Sequence, residues 1–229
     1  DSEKVRDLPK NLKPPRRIIS YDFPAPNISE TGEEDFKIPV LLIDYPDMQQ
    51  IYRKQNFLEM MNEDDYKGTG SFRDYFAEVS YGQFLSIATV EGWFTAENEH
   101  NYYSEDANNS FNRQTNLARY AVDQAEEAGI DWSQYDNDGN GHVDGVIIIH
   151  AGKGAEMGDD SNIWSFRGDL RHNNKQIQYD GVWIDVFTMQ PEIEGTSMSH
   201  IGVFAHEYGH VLGLPDLYDT DGSSGGIGN

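Results

Sequence analysis

Ile38-Pro39-Val40-Leu41-Leu42-Ile43 is a short unbroken apolar run, the pattern of a strand covered on both faces. Further on the period changes. Phe72, Tyr75, Phe76 and Val79 fall at i, i+3, i+4 and i+7, so Ser71 to Tyr81 reads as a helix with one apolar stripe, stopped at Gly82. Phe84 to Phe94 is partly alternating and rich in strand formers. Ser110 to Ala128 reads as a longer helix, with Phe111, Leu117, Tyr120, Ala121, Ala125 and Ala128 apolar and Gly129 closing it. Val143 to Ile149 is a second buried-strand pattern, Ile163 to Phe166 and Val182 to Phe187 are shorter ones, and Ile201 to Leu212 reads as a final helix. Strands and helices mix without a strict βαβ repeat, so the expected class is α+β (mixed α/β), a sheet backed by helices.

The first 35 residues break this pattern. They carry Pro9, Pro14, Pro15, Pro24 and Pro26, five of the nine prolines, with no helical or alternating period. The expected division is an N-terminal extension over 1–35, a linker or the remnant of a pro-segment, and a folded domain over 36–229.

Charge and cysteine usage narrow the function. The formal net charge is −23, which would repel nucleic-acid phosphates and anionic membranes. Neither is expected as a partner; the acid excess suits cation binding or a solubilising surface on an exported protein. The chain has no cysteine, so disulfides, thiolate metal sites and a cysteine nucleophile are excluded. No apolar run nears the roughly 18 residues of a membrane helix. The chain opens at Asp1 without a signal-like apolar segment, and the expectation is that any targeting segment has been removed.

Candidate chemistry sits on the last helix, at His206-Glu207-Tyr208-Gly209-His210. Four residues advance an α-helix by about 400°, so the two histidines stack one turn apart and both can reach one Zn²⁺. Glu207 lies beside them, placed to take a proton from water rather than to ligate. The run continues as Val211-Leu212-Gly213-Leu214-Pro215-Asp216. Gly213 can end the helix and Pro215 stiffen the return, aiming Asp216 at the metal as a third ligand with the fourth position open. The alternative role for Asp216 is a carboxylate that orients an imidazole.

A second constellation is Asp136-x-Asp138-x-Asn140-Gly141-x-x-Asp144, with oxygen side chains at calcium-loop positions 1, 3, 5 and 9 and the turn glycine at 6. Position 12 is Ile147 rather than glutamate, so only the first part of such a loop is present, running into a strand. Three carboxylates so close repel one another without a cation, and the expected ligands for Ca²⁺ are Asp136, Asp138, Asn140 and Asp144 with the backbone carbonyl of His142. Asp219 and Asp221 suggest either a further cation site or a turn. His150 is expected to be a hydrogen-bonded structural histidine, and His100, His172 and His200 surface residues. Tyr208 and Tyr218 are expected to pack rather than to donate to an oxyanion. The segment around Trp183 reads either as the edge strand that pairs with an extended substrate or as core.

His206 to Asp219 resembles the active-site stretch of the immune-inhibitor-A family of secreted bacterial metallopeptidases. Ser71 to Gly82, Tyr135 to Asp144 and Ile149-His150-Ala151-Gly152 resemble the same family, so the likeness spans about residues 37 to 229. The resemblance implies a metzincin-like zincin fold, a twisted sheet with an active-site helix, and secreted zinc endopeptidase activity on polypeptides. It implies His206 and His210 as zinc ligands, Glu207 as general base and Asp216 in the third-ligand position. Two departures from the family pattern stand out. Phe166 occupies a position where relatives are expected to carry histidine. The sequence ends at Gly225-Gly226-Ile227-Gly228-Asn229, short of the expected Met-containing turn, so the C-terminal subdomain is expected to be missing. The rival function is a catalytically silent, calcium-stabilised binding or adhesion module of the same fold; a zinc amidase acting on another substrate is a third.

Overall fold

The computed structural model describes residues 35–104 and 110–216. Eight strands are formed: β1 (Phe36–Asp44), β2 (Ser86–Thr95), β3 (Val146–Lys153), β4 (Phe166–Asp169), β5 (Ile177–Tyr179), β6 (Val182–Ile184), β7 (Val186–Glu194) and β8 (Ser197–Met198). The helices are α1 (Lys54–Asn62), α2 (Phe72–Val79), α3 (His100–Ser104), α4 (Ser110–Glu127) and α5 (Ile201–Val211). Six strands form one mixed sheet in the order β2-β1-β3-β7-β4, with β8 also on β7. The first four run parallel, and β4 and β8 run antiparallel to β7. The α+β expectation holds.

Parallel strands need both faces covered, which is why β1 and β3 read as unbroken apolar runs. Leu41, Ile43, Val146, Ile148 and Met189 face α4 residues Leu117, Ala118 and Ala121 on one side. Val40, Leu42, Ile147 and Ile149 face Phe57, Phe72, Phe76, Phe204 and Tyr208 from α1, α2 and α5 on the other. Helix α2 starts where Ser71 accepts the Asp74 N–H, while the Asp74 carboxylate accepts the Ser71 N–H at 2.8 Å. This reciprocal cap satisfies two of the orphan donors of a helix start.

Three sequence expectations shift. The Val182–Phe187 segment is two strands, not one: the chain breaks at Asp185, which is buried against Arg171, and β6 pairs with β5 in a separate hairpin. The strand expected over Ile163–Phe166 leaves Ile163 in an isolated bridge to Gly154, and the ladder with β7 begins at Phe166. His100 is not a surface residue. It is 6% exposed, with its ring edge-on to Tyr45 at 5.0 Å. His172 and His200 are exposed, and His150 is fully buried with Nδ1 donating to the Ala151 carbonyl at 2.9 Å. Phe166 packs its ring against Phe187 and Phe111.

Candidate metal centre

Helix α5 lies on the sheet face opposite α4, against β7, β4 and α2. Two contacts fix it. Tyr208, fully buried, donates its hydroxyl to the Asp144 carbonyl at 3.1 Å. Gly145, at φ +107°, lets the chain entering β3 come so close that a Cβ there would stand 2.8 Å from Val211 Cγ1. Tyr208 therefore packs, as expected; Tyr218, Asp219 and Asp221 lie outside the described residues, as does the Pro-rich stretch over 1–34.

The helix ends in a Schellman turn. Gly213, at φ +87°, donates to the His210 carbonyl at 3.1 Å, and Leu214 N–H reaches the Gly209 carbonyl at 2.9 Å. This turn places the Leu214 carbonyl 2.7 Å from His210 Nδ1. A carbonyl only accepts, so Nδ1 carries a proton and Nε2 is the nitrogen turned toward His206 and Asp216. The chain then returns through Pro215 to Asp216.

His206 Nε2 and His210 Nε2 stand 3.3 Å apart, and Asp216 Oδ1 lies 3.4 and 3.2 Å from them. A tetrahedral zinc with arms of about 2.0–2.1 Å has ligand-to-ligand edges of about 3.3–3.4 Å. The triangle therefore fits that ion. Asp216 Oδ1 is buried and takes no hydrogen bond among the described residues, as an oxygen kept for a cation does. Burial, then the neighbouring His210, hold the His206 pKa below its usual value, partly countered by the Asp216 charge. Among the described residues this is the only group of three or more histidine and acidic side chains at metal-binding spacing.

Glu207 is buried between α5 and β4. Burial, with the charges of Asp216 and Glu156 adding to it, pushes its carboxyl up to about 8, partly countered by the Arg167 main-chain N–H that it accepts. The sequence gives no sign of Glu156, Arg167 or the Leu214 carbonyl, because turns and strand pairing rather than a local period bring them here.

The Asp136–Asp144 loop is organised differently. Asp136 accepts the Asn140 and Gly141 N–H groups at 2.9 Å each, Asp138 accepts Asn140 N–H and Nδ2, and Asn140 Oδ1 accepts the His142 N–H. Asp144 turns to Asn137, taking its N–H at 2.7 Å and its Nδ2 at 3.0 Å. The loop brings Asp136, Asp138 and Asn140 together, but Asp136, Asp138 and Asp144 do not converge at metal-binding spacing. Burial pushes the Asp144 carboxyl up to about 7. Trp183, in the β5–β6 hairpin, is 41% exposed; among the described residues, β4 is the end strand of the main sheet beside α5.

Two imidazoles one helical turn apart, with a glutamate between them in sequence and a returning aspartate, stand on a mixed sheet with an antiparallel last strand, the arrangement of a zincin-like fold. The chain belongs to the family described as immune inhibitor A peptidase M6, whose catalytic-domain profile matches residues 26–228. It is 31% identical over 236 residues to Immune inhibitor A of Bacillus thuringiensis subsp. alesti, an alignment covering 81% of this chain and 34% of that protein. It is 30% identical over 235 residues to the pre-pro-metalloprotease PrtV of Vibrio cholerae serotype O1 (strain M66-2), covering 80% of this chain and 25% of that protein. The chain thus spans about a third or less of the length of these relatives. Among the described residues, no helix is long and apolar enough to cross a membrane.

Proposed function

We propose that this chain carries the catalytic machinery of a secreted zinc endopeptidase. The observation that carries the reading is the triangle of His206 Nε2, His210 Nε2 and Asp216 Oδ1, with edges of 3.2–3.4 Å and an oxygen that takes no donor among the described residues. Zinc held by these three side chains would supply Lewis acidity and lower the pKa of water from 15.7 to about 7. Glu207 takes the proton of the attacking water and passes it to the leaving amine. A base that must return its proton works best with a pKa near the working pH, and burial brings Glu207 to about 8. The hydrogen bond from His210 Nδ1 to Leu214 holds that ring in one tautomer and orientation. The free edge of β4, beside Glu207, is where an extended polypeptide adds as a further strand.

Calcium at Asp136, Asp138, Asn140, Asp144 and the His142 carbonyl belongs to the same reading. It is supported by the spacing of these residues in the sequence and by the buried Asp144 carboxyl, which a cation would return to its charged form once Asp144 turned from Asn137 to join Asp136 and Asp138. Export is supported by the net charge of −23, which suits a solubilising surface. The test is Glu207→Gln: casein cleavage should fall by about 10²- to 10⁴-fold while zinc stays bound. Full activity in that variant sinks the assignment of the base.

A further inference from the structure

Along an edge strand, main-chain N–H groups alternate between the paired side and the open side. The N–H groups of Arg167 in β4 and of Ser165, two residues earlier, are both taken by acidic side chains. Glu207 accepts that of Arg167. Glu156 Oε1 accepts that of Ser165. Glu156 stands in the short turn Ala155–Met157, which is anchored where Ala155 N–H donates to the Ile163 carbonyl at 3.1 Å. Its side chain folds back so tightly that a Cβ on Gly154 would lie 1.9 Å from Oε2 and 2.8 Å from Pro191 Cγ. Glycine at 154 leaves the room this carboxylate uses.

We propose that Glu156 is a built-in occupant of the substrate edge: its carboxylate stands where a main-chain carbonyl of an extended polypeptide would accept the Ser165 N–H, and the peptide must displace it to bind. The inference rests on the peptidase reading above, because it takes the β4 edge as the substrate edge. A peptide adding to an edge strand takes the open donors in turn, and here it exchanges an existing hydrogen bond for its own. The cost of displacing the carboxylate falls on substrate binding, so it enters KM. It is recovered in part as the released carboxylate returns to water.

The test uses the full chain in the Glu207→Gln background, where a fluorescein-labelled casein peptide is not turned over. Adding Glu156→Ala should tighten that peptide's Kd about 2- to 10-fold, the worth of one net hydrogen bond. Glu156→Gln keeps an acceptor and should fall between the two. With the native Glu207, Glu156→Ala should lower KM by the same factor. Amide exchange at Ser165 in the free protein should speed up in Glu156→Ala. Faster exchange with unchanged or weaker peptide binding overturns the proposal and leaves Glu156 as a cap on the edge alone; unchanged exchange overturns the contact itself. If Glu156→Ala tightens binding while the zinc-loaded native chain cleaves nothing, the peptidase reading fails and the edge-occupant inference stands.

Discussion

Helix α5 and the Asp136–Asp144 loop both announce themselves by spacing, yet only the helix turns spacing into a converged site. A helix fixes the angle between residues four apart, so His206 and His210 must share a face, and the Schellman turn at Gly213 returns Asp216 to them. A loop fixes no such angle. Its oxygens satisfy the nearest donors, and in this structure Asp136, Asp138 and Asn140 close on the loop's own N–H groups while Asp144 turns to Asn137. The two regions meet at one bond, from the Tyr208 hydroxyl to the Asp144 carbonyl.

The sharpest way to break the comparison is to remove one donor from each region. His210→Ala should abolish zinc binding and lower casein cleavage by on the order of 10³-fold, whereas Asp138→Ala should leave zinc content unchanged and activity within about 2-fold at 25 °C. Equal losses in both, measured by metal content and turnover, would make the loop part of the active site.

A smaller effect tests the loop's cation. The folded-state pKa of Asp144 is raised to about 7 from 3.8, so the folded chain holds a proton that the unfolded chain gives up. The associated stability is present at low pH and is lost as pH rises through 7. In chelator, Asp144→Asn should therefore be about 1–3 kcal/mol more stable than the native chain at pH 8, with the gain gone near pH 4. Calcium should reverse the order at pH 8 by stabilising only the native chain. Urea melts with and without calcium read both arms.

The smallest effect tests the bond between the regions. Tyr208→Phe strips the Asp144 carbonyl of a buried donor and should cost about 1–2 kcal/mol in the same melts. A loss under 0.5 kcal/mol would mean that the helix is held by apolar packing alone.

How far the sequence can be read follows the same division between periodic and non-periodic structure. Strand β1, helix α4 and helix α5 are legible because their apolar periods match the faces they bury. Strand β7 is legible only at its start: Thr188, Gln190 and Glu192 are polar and wholly buried, so the run looks like a loop. Glu192 tolerates that burial by accepting the Ile51 and Tyr52 N–H groups at 2.7 and 2.6 Å and that of Gly152 at 3.2 Å. These donors are remote in sequence, which is why no local signal marks the strand. His100 reads as a surface residue because its place against Tyr45 is set by long-range packing. In the site, the two histidines and Glu207 are helical neighbours and visible in the sequence, whereas Glu156 and the Arg167 N–H reach Glu207 through the β4 edge.

The central claim is that one zinc ion sits at the end of α5, and anomalous diffraction at the zinc edge from crystals of the zinc-loaded chain tests it most directly. A single strong peak is predicted about 2.0–2.2 Å from His206 Nε2, His210 Nε2 and an Asp216 carboxylate oxygen. No peak there, or a peak among Asp136, Asp138 and Asp144 in its place, would contradict it.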